Sequence, residues 1–131
     1  MIKLVLGSAN FKRKYGINND KIININKIFD YCNKNNINYL DTAFAYSGSH
    51  KIILQNKKSN FKIITKLDLK KKKYKNLKKS LYNFVEQLKK NKIYSILIHN
   101  TEDFIDFHDR ELILNLFQNL KKKNIIKKFG V

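Results

Sequence analysis

The chain has 131 residues, 43% of them hydrophobic, which is enough to bury a core; it reads as one folded unit or part of one, and a disordered tail is excluded. No stretch approaches the roughly 20 uninterrupted apolar residues of a bilayer span, the segment from Met1 to Gly7 lacks the length and small-residue exit of a signal peptide, and a lone cysteine, Cys32, excludes an internal disulfide, so the expected location is the cytoplasm. The net charge of +18, from 28 Lys plus Arg against 10 Asp plus Glu, invites a nucleic-acid or membrane reading, but the lysines spread over nearly every segment and no aromatic-basic reader motif accompanies them, so no specific nucleic-acid or membrane partner is expected.

In chain order, Lys3 to Leu6 is the first short apolar run with the character of a buried strand. Ile22, Ile25, Phe29 and Cys32 then share one face of a helix, where Cys32 reads as core filling. Asn38 to Thr42 is a second strand with the carboxylate of Asp41 near its end and Tyr46 five positions on. Ser47-Gly48-Ser49 opens a short second helix, with a serine capping the first turn and Gly48 serving a tight turn or a close backbone approach beside the substrate. Phe61 to Thr65 is a third strand, followed at once by Lys66, and Leu77, Leu81, Val85 and Leu88 form the stripe of a third helix. Tyr94 to Ile98 is a fourth strand, followed by His99. Leu112, Leu116 and Leu120, flanked by Ile113 and Phe117, mark a fourth helix starting near Asp109, and Ile125 to Val131 reads as a fifth strand.

Strands alternating with helices in this way predict an α/β fold of about five parallel strands and four helices, each strand covered on both faces. Periodicity leaves two architectures open, a doubly wound sheet and a (β/α)8 barrel. No G-x-G-x-x-G follows the first strand and no G-x-x-x-x-G-K-[ST] occurs, which weakens the phosphate-binding open-sheet readings. In parallel βα folds reactive groups gather at the C-terminal ends of the strands. Asp41, Tyr46, Lys66 and His99 all stand there and can share one rim. Singly, each has a plainer reading: Asp41 as a turn cap, Tyr46 as a packed loop aromatic, Lys66 as one of many lysines, His99 as a core histidine.

Together they resemble a known family. Asn38-Tyr39-Leu40-Asp41-Thr42-Ala43-Phe44-Ala45-Tyr46 resembles the N-x-x-D-T-A-x-x-Y segment of aldo-keto reductases, Ile63-Ile64-Thr65-Lys66 is similar to their lysine strand, and Ile96-Leu97-Ile98-His99-Asn100 to their histidine strand. Leu6 to Phe11 with Tyr15-Gly16-Ile17-Asn18-Asn19 is similar to the opening of bacterial members, and Ile125 to Val131 resembles the fifth strand. The resemblance spans the whole chain in order. It implies the N-terminal half of a (β/α)8 barrel over residues 1–131, without a second domain, and an oxidoreductase that reduces an aldehyde or ketone with NADPH or NADH.

Hydride transfer leaves negative charge on the carbonyl oxygen, so a proton donor must act as the hydride arrives. The resemblance implies Tyr46 as that donor. A tyrosine titrates near pH 10 in water and a nearby cation favours its phenolate; Lys66 is that cation, Asp41 its counter-charge, and His99 orients the carbonyl. Asp41, His99 and Asn100 are the expected cofactor contacts in this half.

The sequence departs from the family pattern after Tyr46, where Ser47-Gly48-Ser49-His50 puts His50 where an acidic residue is common and Leu54 replaces a frequent glycine. It is also short, since such barrels need about 250 residues. The resemblance implies that the groups gripping the nicotinamide ring, pyrophosphate and adenosine phosphate come from later strands, so weak binding of NAD(P)H by this chain alone is expected. Unpaired first and fifth strands favour self-association through their edges. Two other classes remain alternatives: a metal-dependent hydrolase using His99, Glu102, Asp103, Asp106, His108 and Asp109, whose acids more simply solvate or cap the following helix, and a basic non-catalytic binding module.

Overall fold

Five short strands alternate with helices along the chain: β1 Val5–Gly7, α1 Ile25–Lys34, β2 Tyr39–Asp41, α2 Ser49–Gln55, β3 Lys62–Leu67, α3 Tyr74–Gln87, β4 Ile93–Ile98, α4 Thr101–Ile105, α5 Arg110–Lys122 and β5 Lys128–Gly130. The computed structural model describes residues 4–12, 24–46, 48–56, 60–70, 72–88 and 93–131. The expectations placed on Lys3, the 15–19 segment, Ile22 and Ser47 lie outside the described residues.

All strand pairs are parallel and the sheet order is β1-β2-β3-β4-β5, the order of the sequence. A doubly wound sheet reverses order at a switch point; this one winds in a single direction, as one arc of a (β/α)8 barrel does. The choice that periodicity left open is made by pairing.

The core lies between the helices and one face of the sheet. Phe29 and Cys32 of α1, Ile53 of α2, Leu77, Leu81 and Phe84 of α3, and Ile113, Leu116, Phe117 and Leu120 of α5 are buried. They cluster with the buried strand residues Leu40, Ile63, Leu67, Ile93, Ile96 and Ile98. Each large apolar side chain withdrawn from water in this way stabilises by about 1.5–3 kcal/mol. The expectation that the strands are covered on both faces is corrected here. In β3 burial alternates, with Ile63, Thr65 and Leu67 buried and Lys62, Ile64 and Lys66 more exposed. Side chains point alternately to opposite faces of a strand, so the second set lies on the concave side that carries the site.

Asparagine shapes the helix ends. Asn24 caps α1, its side chain accepting the Lys27 N–H at 3.1 Å. After α1 and α5 the chain turns through Asn36 and Asn124 in the left-handed region (φ 55° and 54°), and the next residue's N–H returns to the helix, Ile37 to the Cys32 carbonyl and Ile125 to the Leu120 carbonyl, both at 2.9 Å. This is the Schellman closure, with asparagine taking the place that glycine usually fills.

Other expectations are corrected. The α2 cap is Gly48 at φ 77°, without a side-chain cap, because Ser49 turns its hydroxyl inward. In α3 the expected stripe holds, with Leu77, Leu81 and Leu88 buried and Val85 half-buried against the core; Phe84 joins it and the helix ends before Leu88. Leu112 is 45% exposed, since Ile113 rather than Leu112 shares the inward face with Leu116, Phe117 and Leu120. A fifth helix, α4, beyond the four expected, forms directly after β4. The pairing of β3 with β4 slips between Ile63 and Ile64, leaving Tyr94 between the partners Ile93 and Ser95, a bulge an apolar run conceals. No helix among the described residues is long and apolar enough to cross a membrane.

Candidate active site

The site is built by extending the ladder past the end of β2. Thr42 donates its N–H to the Ile64 carbonyl at 2.8 Å and Phe44 donates to the Lys66 carbonyl at 3.0 Å, which draws the loop along β3. The Tyr46 N–H then closes a turn onto the Ala43 carbonyl at 3.0 Å. On β3's other side, the His99 N–H donates to the Leu67 carbonyl at 2.9 Å. Residues from three separate stretches of the chain, Asp41 with Tyr46, Lys66 and His99, are thus delivered to one rim by main-chain hydrogen bonds.

Lys66 and Asp41 form the charged centre. The Lys66 ammonium Nζ donates to both Asp41 carboxylate oxygens, at 2.6 Å to Oδ1 and 2.5 Å to Oδ2. Their side chains are 18% and 32% exposed, so the pair is partly dry, where an ammonium needs a counter-charge and fixed geometry. The same Nζ lies 5.6 Å from the centre of the Tyr46 ring. That ring meets the His99 imidazole edge-on, with centroids 6.1 Å apart and planes at 86°. Phenol, ammonium, carboxylate and imidazole are therefore brought together. Such a set can hold a proton beside a cation and orient a polar oxygen.

Asn100 stands at the same rim, but its Oδ1 accepts the Glu102 N–H at 2.8 Å and caps α4. On the concave side Gly7 pairs with Asp41, and a Cβ added there would meet nothing within 4 Å. This leaves room beside the carboxylate in which a flat ring can lie, so the residues present are compatible with a nicotinamide.

The alternative metal cluster does not form. Among the described residues no three His, Cys, Asp or Glu side chains come together as metal ligands. Helix α4 carries Glu102 and Asp103 in its first turn and separates them from Asp106, His108 and Asp109. Asp109 stands at the start of α5 without a side-chain cap bond.

Two residues that the sequence singles out find their contacts only in the fold. His50 stacks on Phe84 (centroids 4.0 Å, 19°), meets Phe44 edge-on at 4.7 Å, and has its Nε2 3.4 Å from Thr65 Oγ1. Burial pushes its pKa down to about 4, so it is a neutral packing group on the helix side of the sheet. It floors a 530 Å³ groove between α2 and α3, lined by Phe44, Leu54 and Phe84 among others. Gly48 serves a close approach, but of the Lys12 side chain, which a Cβ would overlap. Cys32 is core, as expected, and burial raises its thiol pKa.

The family model that matches the chain, described as the aldo/keto reductase family, spans residues 3–131. Two solved structures assigned to the aldo-keto reductases, both from Pseudomonas aeruginosa, align with TM-scores of 0.69 and 0.68 at 19% and 20% sequence identity. The alignments cover 98% of this chain but 54% and 53% of theirs, so it spans about half their length. No curated protein matches at a significant level.

Proposed function

The chain belongs to the aldo/keto reductase family, and we propose that it forms the N-terminal half of the barrel, residues 1–131, and the proton-donating side of an oxidoreductase that converts an aldehyde or ketone to its alcohol. The observation that carries this reading is the Lys66 ammonium gripped by Asp41 beneath the Tyr46 ring, with His99 at that ring's edge. When bound, NADPH or NADH supplies the hydride that reaches the carbonyl carbon. Tyr46 gives its hydroxyl proton to the carbonyl oxygen as negative charge builds there. Lys66 then faces the phenolate left behind, and Asp41 keeps that ammonium from swinging into solvent. His99 offers a ring nitrogen to the same oxygen and orients it. Asp41, His99 and the Asn100 amide are the groups this half offers the nicotinamide end of the cofactor. The substrate is a small carbonyl compound.

The test is NADPH-dependent aldehyde reduction by the chain, alone and mixed with the C-terminal half of an aldo/keto reductase. Turnover that Tyr46→Phe abolishes is expected, together with weak cofactor binding by calorimetry when the chain is alone. Absence of turnover in both settings, or turnover that survives Tyr46→Phe, overturns the assignment.

A further inference from the structure

Resting on the reading of Tyr46 as proton donor, we propose that Ser49 is the positioning residue that fixes this tyrosine at the rim, through a buried hydroxyl clamp onto β1. Ser49 is only 1% exposed although it is polar and opens α2. Its Oγ donates to the Ser8 carbonyl just past β1 at 2.9 Å, and its N–H donates to the Tyr46 carbonyl at 3.1 Å. Ser8 in turn donates its N–H to the Asp41 carbonyl at 2.9 Å. One side chain therefore ties the backbone of the proton donor to the strand pair that carries the lysine's counter-charge.

The tether matters because, among the described residues, no other side-chain hydrogen bond joins the start of α2 to β1; His50 packs toward β3 and α3 instead. Gly48, in the left-handed conformation, supplies no side-chain cap. At the other end of the loop Phe44 is pinned to β3 through its N–H bond to the Lys66 carbonyl. Phe44 is thus fastened to β3 and Ser49 to the end of β1, with Tyr46 between them in sequence. Without the second fastening the ring is free to drift from Lys66 and His99, and a misplacement of about 1 Å is enough to cost on the order of a hundredfold in rate. The Ser8 carbonyl also accepts the Phe11 N–H at 3.1 Å, so removing the clamp orphans no main-chain group there and the fold survives.

The experiment is NMR on the whole chain carrying Ser49→Ala or Ser49→Thr. In Ser49→Ala the through-space contacts of the Tyr46 ring with His99 and the Lys66 side chain are lost. The Tyr39–Tyr94 ring pair, 5.1 Å apart at the opposite end of the strands, keeps its contact. Ser49→Thr restores the donor and the Tyr46 contacts. Persistence of those contacts in Ser49→Ala overturns the proposal, and so does their loss together with the Tyr39–Tyr94 contact, which marks Ser49 as general packing. In the unsubstituted chain, the amides of Ser8 and Ser49 are expected to open to hydrogen exchange together with that of Phe44; independent opening of Ser49 also overturns it. None of these readouts needs turnover, so they can fail while the Tyr46→Phe test of the reductase reading succeeds, and the reverse.

Discussion

At the N-terminal end of the strands Lys62 and Lys128 lie over the rings of Tyr39 and Tyr94, at 5.5 and 5.7 Å, while at the C-terminal end Lys66 lies over Tyr46 at 5.6 Å. The two ends of the concave face therefore share lysine, tyrosine and the same cation–aromatic spacing. Lys62 and Lys66 even sit on one strand, four residues apart on one side. They differ in what else is present. Lys62 and Lys128 are exposed, and such contacts contribute about 0.5–1 kcal/mol in water. Lys66 is gripped by both oxygens of Asp41 and half-buried, with an imidazole across the phenol ring. A lysine beside a tyrosine is thus not enough to mark a site; the carboxylate that fixes the ammonium and the imidazole at the phenol are what set the C-terminal end apart and what the proposed proton transfer rests on.

The comparison breaks most sharply by removing one hydroxyl at each end. Tyr46→Phe should slow carbonyl reduction by about 10²–10⁴-fold, whereas Tyr39→Phe should leave the rate unchanged; steady-state kinetics decides. Equal losses would dissolve the distinction between the ends.

Thr65, between the two lysines in sequence, faces the helices and His50, where acid sensitivity of the packing is expected. His50 is pushed from 6.5 to about 4 by burial. Between those values the unfolded chain binds a proton that the folded chain refuses, so stability rises with pH across the window. About 3 kcal/mol is accordingly lost as the pH falls from 6.5 towards 4. Urea midpoints at pH 7 and pH 4 should differ more for the parent chain than for His50→Phe. Equal falls in both would place the acid sensitivity elsewhere.

Lys66→Met strips Asp41 of its partner and should destabilise by about 1–2 kcal/mol, between the ranges for surface and buried pairs. Lys62→Met should change stability by less than about 0.5 kcal/mol; paired denaturation curves at pH 7 test both. The smallest effect is expected at Leu112→Gln, again within about 0.5 kcal/mol because the side chain is largely in water. A large fall in its melting temperature would return Leu112 to the core.

The sequence by itself determined the alternation of strands and helices, because apolar runs at Asn38 to Thr42, Phe61 to Thr65 and Tyr94 to Ile98 and stripes such as Leu77 and Leu81 follow from the periods of the two structures. It also placed Asp41, Tyr46, Lys66 and His99 at strand ends, since ionisable groups after apolar runs are visible in one dimension. Tertiary structure alone decided the rest. Sheet order chose the barrel arc, because pairing between distant strands leaves no trace in local period. Three-dimensional neighbours moved the stripe of α5 from Leu112 to Ile113 and put Ser49's hydroxyl on Ser8 instead of on its own helix. In each case local chemistry allowed several partners, and the packed chain offered only one within bonding reach.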